Sequence, residues 1–347
     1  MTTVAPVFSI ALPVHNGENH MRIAIESVLA QTYPHFLLTI LENGSTDNTL
    51  TIAESYAAID ERISVVPSQT LLGIEDNWAR ILELDLHPYM TILCHDDFYY
   101  PEFLRQIVSA IEVYPTATVY TTGCNFVNAE GEVIETSQQS PFYETAEQFL
   151  QNTYQHTRDV VGSGVVVRSA DYKALGGLPP FKNLLYADFY AWYKLSIPGG
   201  KVCQPECLFA FRLHEKSTTL SASFMALYTG AKQYMLALQD TPFFEKEANR
   251  ELARNYLTRN LRQQYHRKLF ELGRFGTAKE WAAYDAEKTE ILTDALQYDL
   301  FIVHDRPAQL YEWIGRRQWG WLRFILLFFV SFVRTGRQQI RKIGILR

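Results

Sequence analysis

Four short apolar runs in the first 93 residues, each followed by a stretch with helical spacing, leave this chain few folds to adopt. The runs are Phe8–Val14 (FSIALPV), 36–41, 63–66 and 89–93. Residues 18–31, with Met21, Ile25, Val28 and Leu29 at helical intervals, separate the first two, and helical stretches at 46–56 and 74–84 separate the others. Strand and helix alternating at this interval predict parallel βαβ units with right-handed crossovers. Ligands of such sheets bind beyond the carboxyl ends of the strands. Three polar loops fall there, at 15–18, 42–45 and 94–97, and are expected to converge on one crevice.

Past residues 118–122 the pattern loosens. Asn128-Ala129-Glu130-Gly131-Glu132 reads as a hairpin turn, and 160–167 and 202–212 read as further strands. From about residue 221 the composition is helical, with long amphipathic stretches at 224–238 and 245–272. A hydrophobic content of 47% can supply a substantial core. The expected class is α/β: a sheet domain over 1–220, a helical region over 221–312 packed on it, and a distinct segment over 313–347.

The net charge of −6 argues against general nucleic-acid binding but hides an asymmetry. Residues 313–347 hold eight basic residues and no acidic one, leaving 24 basic against 38 acidic residues before them. Within that tail, 319–333 (WGWLRFILLFFVSFV) is intensely apolar, yet shorter than the ~20 residues a bilayer core requires. Flanked by Arg316, Arg317, Arg334 and Arg337, it fits a helix lying on an anionic membrane surface. A helix buried in an interface is the other reading, which leaves a homo-oligomer open. Four cysteines in a chain of this length form no disulfide framework, and Cys203-x-x-x-Cys207 lacks a second pair to complete a zinc site. Without a basic-then-apolar leader, the sequence points to a cytoplasmic protein, peripheral at the inner face of the cell membrane.

Asp96 and Asp97 close the fourth run, with His95 beside them. Paired carboxylates at a sheet edge repel each other unless a cation shares their charge, and Mg2+ or Mn2+ prefers such hard oxygen ligands. A plainer role is to cap the helix expected at 101–112, because acidic residues favour helix N-termini.

Several motifs in a fixed order then carry a resemblance. Pro13-Val14-His15-Asn16-Gly17-Glu18 is followed by Ser27-Val28-Leu29-Ala30-Gln31-Thr32-Tyr33-Pro34 and by Glu42-Asn43-Gly44-Ser45-Thr46-Asp47. Leu72-Gly73-Ile74 with Asn77-Trp78 comes next, then Cys94-His95-Asp96-Asp97. Gly176-Gly177-Leu178, Ala187-Asp188 and Phe211-Arg212-Leu213-His214 complete the series. Over about residues 7–218 the chain resembles glycosyltransferase family 2, with its PVYNGE, SxLxQTYP and DDGSTD segments, DxD-type metal motif and GG-acidic-RxH succession. The resemblance implies a GT-A type, Rossmann-like mixed sheet flanked by helices, and inverting transfer of a sugar from a nucleotide-sugar donor.

On that resemblance Asp97 holds a divalent ion, Mn2+ or Mg2+, and Asp96 faces the donor ribose. Pro13, His15, Glu18 and Asn43 shape the nucleobase crevice, with Asn16 and Glu42 in the same two loops. His214 binds the metal or contacts the pyrophosphate, and Arg212 offers bidentate donors to phosphate. Asp188 is the candidate base for an acceptor hydroxyl, and its apolar neighbours, including Leu185, Phe189 and Trp192, suit a raised carboxyl pKa. The same residue would also serve as N-cap of a helix at 189–196.

Two departures bear on these roles. Glu42-Asn43 replaces a common Asp-Asp, which alters how a base is read. Ala187-Asp188 replaces an acidic pair, leaving Asp188 alone. The expected partners are a nucleotide sugar, UDP-linked, and a glycan or lipid-linked glycan acceptor. A nucleotidyltransferase is a rival, although 15–18 lacks the basic residue of its pyrophosphate loop. A catalytically silent membrane-associated scaffold of the same fold is another, and intact Asp97, Asp188 and His214 speak against it.

Overall fold

A computed structural model describes residues 5–155, 160–214, 221–275 and 277–297 of the chain. Phe8–Val14 forms strand β1, buried along its whole length. Strand alternation sends Phe8, Ile10, Leu12 and Val14 to one face, where they join a single core. Helix α1 (Met21–Leu29) covers that core with Met21, Ala24, Ile25 and Val28, one helical stripe. Strand β2 (Phe36–Glu42) runs parallel to β1, in register from Phe8↔Phe36 to Val14↔Glu42. Helix α2 (Thr49–Ala57), strand β3 (Ile63–Val65) and helix α3 (Ile74–Ala79) follow. Strand β4 (Tyr89–Ile92) then pairs with the other side of β1, also parallel. Burying each aliphatic or aromatic side chain contributes about 1.5–3 kcal/mol, so this core holds the strand ends under the crevice firmly level.

Beyond β4 the sheet becomes mixed. Strand β5 (Phe98–Tyr99) and helix α4 (Phe103–Val113) precede β6 (Val119–Val127), β7 (Val133–Thr136) and β8 (Tyr143–Glu144). Helix α5 (Ala146–Tyr154), β9 (Val166–Arg168), α6 (Ser169–Leu175), α7 (Ala187–Ser196) and β10 (Lys201–Arg212) complete this part. The strand order is β3-β2-β1-β4-β9-β6-β10-β5. β9 is antiparallel to both β4 and β6, and β6 is parallel to β10. Two reversals cancel, so β10 points the same way as β1 and β4. Its carboxyl end brings Arg212 and His214 to the edge where β4 delivers Asp96 and Asp97.

The hairpin expected at 128–132 joins β6 to β7, with Asn128 Oδ1 accepting from the Glu130 and Glu132 N–H groups. The strand expected over 160–167 is shorter, because residues 160–165 stay outside the ladder. Gly164 there takes φ +72°, with the Phe209 ring 2.7 Å from where a Cβ would stand. The helix expected over 74–84 changes at Arg80 to a 3-10 turn, Arg80–Glu83, whose first side chain reaches back to the Glu42 and Val66 carbonyls.

The chain divides into two compact units. One runs up to Ala222 and includes Gln233–Leu252; the other takes Ser223–Lys232 and the described residues from Ala253 on. In the second, Phe224 packs on Tyr265, the Tyr265 and Tyr284 hydroxyls are 2.6 Å apart, and Lys232 pairs with Asp294 at 2.7 Å. No helix among the described residues is long and apolar enough to cross a membrane. The basic segment 313–347 and its apolar stretch lie outside the described residues.

Candidate active site

The loops after β1 and β2 are laced together. Asn16, at φ 50°, donates its N–H to Ser45 Oγ (3.0 Å) and accepts the Thr46 N–H on Oδ1 (2.8 Å). Glu18 Oε2 accepts from the N–H and side-chain amide of Asn48, at 3.1 and 2.8 Å, just ahead of α2. Asp47 ties the same corner, accepting from the Glu18 and Thr49 N–H groups. His15 Nδ1 lies 3.0 Å from the Asn43 carbonyl. Pro13 is buried opposite Leu41, past the Ala11↔Ile92 pair where β4 leaves the ladder, so its missing N–H deprives no β4 partner.

Glu42 and Asn43, expected to contact the donor, turn inward. Glu42 is 2% exposed, and its carboxylate accepts the Ser45 and Gly44 N–H groups at 2.6 and 3.2 Å. Asn43 spends both ends of its amide on Leu72: Nδ2 donates to the carbonyl (3.1 Å) and Oδ1 accepts the N–H (2.9 Å). A carboxylate makes only the second bond, which gives the departure from Asp a local reason. These two side chains stiffen the crevice wall.

The carboxylate pair is differently disposed. Asp97 is 1% exposed; Oδ1 accepts the Arg212 N–H at 3.0 Å, whereas Oδ2 is buried with no hydrogen-bond partner among the described residues. Burial, and then the charge of Asp96, push the Asp97 carboxyl well above the usual range. Asp96 Oδ2 lies 2.7 Å from His214 Nε2. Burial alone would raise Asp96 too, but His214 and His95 outweigh it and hold that carboxyl below the usual range. The plainer helix-cap role does not hold, since β5 intervenes and Glu102 is the N-cap of α4.

An oxygen from each carboxylate and the Cys94 sulfur all lie within 4.8 Å of one another. Burial, with the two carboxylates adding to it, pushes the Cys94 thiol well up, so the proton stays on sulfur and the hard donors are oxygens. The orphaned Asp97 Oδ2 and the Asp96 carboxylate, with His214 alongside, fit Mg2+ or Mn2+.

Arg212, expected at the donor phosphate, is engaged by the backbone through Nε and Nη1. It is 1% exposed, and its guanidinium donates to three carbonyls: Asp96 (2.8 Å), Asn128 (3.1 Å) and Ala129 (2.7 Å). It straps the β6–β7 hairpin to the carboxylate loop from beneath. The sequence shows the cation but not that backbone carbonyls would take its Nε and Nη1 donors; Nη2 is buried with no hydrogen-bond partner among the described residues.

Asp188 occupies the second position of α7. The N-cap position falls on Tyr186, at φ 64°, which makes no side-chain cap bond, whereas Asp188 Oδ1 accepts the first-turn N–H of Phe189 at 2.9 Å. A Cβ on Gly162 would stand 3.2 Å from Asp188 Oδ2. Dense surroundings lift this carboxyl to about 6, although solvent still touches the residue. Ser163, absent from the sequence reading, links this corner to the metal side: its Oγ accepts the Cys94 N–H at 3.0 Å and donates to the Ile92 carbonyl at 3.2 Å. Only the Gly-Ser-Gly interruption of a strand-like run hinted at it. Asn183, Leu184 and Tyr186 all have positive φ, costing about 1–3 kcal/mol each for such residues. Tyr186 is held there by stacking on Tyr234, whose hydroxyl bonds that of Tyr154.

Residues 9–176 match Glycosyl transferase family 2. That match spans just under half of the chain, which is similar to the family there. Among its relatives is TuaG of Bacillus subtilis, assigned provisionally as a teichuronic acid biosynthesis glycosyltransferase. It is 26% identical over 218 residues, 62% of this chain and 83% of that protein. S. aureus TarS 1-349, solved with UDP-GlcNAc, superposes with a TM-score of 0.65 at 16% identity, covering 84% of this chain and 81% of the TarS 1-349 chain. The mannosyltransferase PcManGT of Pyrobaculum calidifontis, solved with GDP-Man and Mn2+, gives 0.54 at 13% identity, covering 91% and 89%. These structural matches speak to the fold, and the mixed sheet of this chain is of GT-A type.

Proposed function

We propose that this chain is a metal-dependent, inverting glycosyltransferase that moves a hexosyl or N-acetylhexosaminyl group from a nucleotide sugar to a hydroxyl of a glycan or lipid-linked glycan precursor. The observation that carries the reading is the orphaned, buried Asp97 Oδ2 beside the Asp96–His214 pair, with a second carboxyl, Asp188, set apart and lifted to about 6. Asp97, with His214, would hold Mn2+ or Mg2+, and Asp96, given to the donor ribose by the family resemblance, joins that metal set because its carboxylate lies within 4.8 Å of that of Asp97. That ion, when bound, offsets the negative charge that grows on the departing diphosphate.

The remaining work falls to the chain's own groups. Asp188, ionised, takes the proton of an acceptor hydroxyl as its oxygen bonds the anomeric carbon. The bond to the nucleoside diphosphate breaks with its electron pair leaving on phosphate, and configuration inverts. A carboxyl near 6 is half ionised close to working pH and accepts a proton better than an ordinary aspartate. A silent scaffold has no use for that arrangement.

UDP-linked donors are the first choice, because TarS was solved with UDP-GlcNAc; PcManGT makes GDP-Man the second. The basic, apolar tail at 313–347 suits attachment at the inner face of the cell membrane, close to a lipid-linked acceptor. A thermal-shift panel of UDP- and GDP-sugars with Mn2+ or Mg2+ tests the donor assignment. One donor is expected to raise the melting temperature only when metal is present. A flat response across the panel would overturn it.

A further inference from the structure

A cavity of about 110 Å3 opens on the sheet, walled by Thr121, Gly123 and Cys203 of β6 and β10, Phe149 of α5 and Trp192 of α7, the last one helical turn on from Asp188. The exposed members of its lining, Thr136, Gln138, Gln139 and Pro205, mark its mouth. One short segment joins it to the site already described. Val160, Val161 and Val165 line the cavity, while Gly162 lies against Asp188 and Ser163 holds the Cys94 N–H. Trp192 stands one turn beyond Asp188, about 6 Å along the helix axis. Its indole N–H donates to the Val161 carbonyl at 3.3 Å, fixing the wall to the helix that carries the carboxyl.

The lining has a definite chemical character. Hydroxyls and amides recur in it (Thr121, Thr122, Ser140, Gln138, Gln204), set against the apolar Phe149 and Trp192. Lys201 is its one charged residue, and its ammonium already lies 3.9 Å from Glu144 Oε2. A sugar ring matches such a surface, with hydroxyls at its rim and C–H groups on its faces. A phosphate would meet too little positive charge. The volume, roughly four waters' share, admits the edge of a ring and no lipid chain.

We propose that this cavity grips the terminal sugar of the acceptor, a neutral pyranose, and turns one of its hydroxyls toward Asp188. The assignment rests on the glycosyltransferase reading above. In the step it serves, the acceptor O–H bond breaks with its proton going to the Asp188 carboxylate. The oxygen bonds the donor's anomeric carbon, and the nucleoside diphosphate leaves with the electron pair of the broken C–O bond.

The full chain, Mn2+, UDP-GlcNAc or GDP-Man, and a set of neutral methyl hexopyranosides and N-acetylhexosaminides test it. Free nucleotide reports donor hydrolysis, and mass spectrometry reports disaccharide. At least one glycoside is expected to be extended, and Gln139→Trp and Ser140→Trp, which crowd the mouth from its rim, to cut disaccharide at least about tenfold while hydrolysis stays within about twofold. Two positions are used so that the result does not hang on one variant folding. Unaltered extension in both folded variants overturns the proposal. So does hydrolysis without extension of any glycoside at about 100 mM, far above ordinary KM values. Absence of hydrolysis with every donor is a separate outcome: it removes the glycosyltransferase reading, and this assignment with it.

Discussion

His214 Nε2 and Asp96 Oδ2 stand 2.7 Å apart although 118 residues separate them in the chain. The contact depends on strand polarity, because β10 is returned to the direction of β1 and β4 by way of antiparallel β9. Substituting His214→Ala removes the group that steadies Asp96. The concentration of Mn2+ giving half-maximal donor turnover is expected to rise about 10–100-fold. A metal titration checks this; an unchanged requirement would leave His214 only its packing against His20, at 5.8 Å between ring centroids.

Asp188 links catalysis to stability with opposite signs. Transfer needs the ionised carboxylate, so kcat/KM is expected to climb with pH and reach half its plateau near 6. The folded state binds this proton more tightly than the unfolded chain, whose carboxyl titrates near 3.8. Stability therefore falls as pH rises between those values, and burial of the charge costs about 1–3 kcal/mol above them. Asp188→Asn is expected to lose transfer about 100-fold or more, keep donor binding, and melt above the parent at pH 8 but not at about pH 4. Melting curves and donor titrations at both pH values decide it. Equal loss of binding and transfer would make the residue structural.

Arg212 is a strap, so its removal is expected to weaken the fold more than the grip on phosphate. Arg212→Ala takes the guanidinium from the Asp96 and Ala129 carbonyls, while that of Asn128 keeps the Gly131 N–H, and is expected to cost about 2–4 kcal/mol, read from urea midpoints. Arg212→Lys recovers little, since one ammonium cannot span both loops. Full stability with a raised donor KM would return Arg212 to the phosphate role.

Asn43→Asp restores the commoner family residue but removes the donor to the Leu72 carbonyl and buries a charge against it. A loss of about 1–3 kcal/mol is expected in chemical denaturation. A stabilised variant would contradict the reciprocal Asn43–Leu72 pairing.

The first half of the fold was legible because its strands are buried and its helices amphipathic, so two periods alternate plainly from Phe8 to Ile92. The convergence of the first three polar loops followed from that alternation alone. The placement of Arg212 and His214 beside Asp96 depends instead on how a three-residue strand, β9, reverses direction twice across the sheet. Strand polarity of that kind leaves no periodic trace. Residue type also hides what a buried side chain bonds: Glu42, Asn43 and Arg212 carry ligand-like groups, yet backbone atoms claim the first two and the Nε and Nη1 of the third. Ser163 and the left-handed Tyr186 are tertiary features, set by what packs on them.

The central claim is that Asp97 and Asp96 hold a metal that serves sugar transfer. Its most direct measurement is nucleotide release from UDP-GlcNAc and GDP-Man by the full chain, with Mn2+, with EDTA, and with Asp97→Asn. Release is expected with metal from one donor, to vanish with EDTA, and to fall at least about 100-fold in Asp97→Asn at unchanged fold. Equal release with EDTA, or an Asp97→Asn variant as active as the parent, would contradict the account.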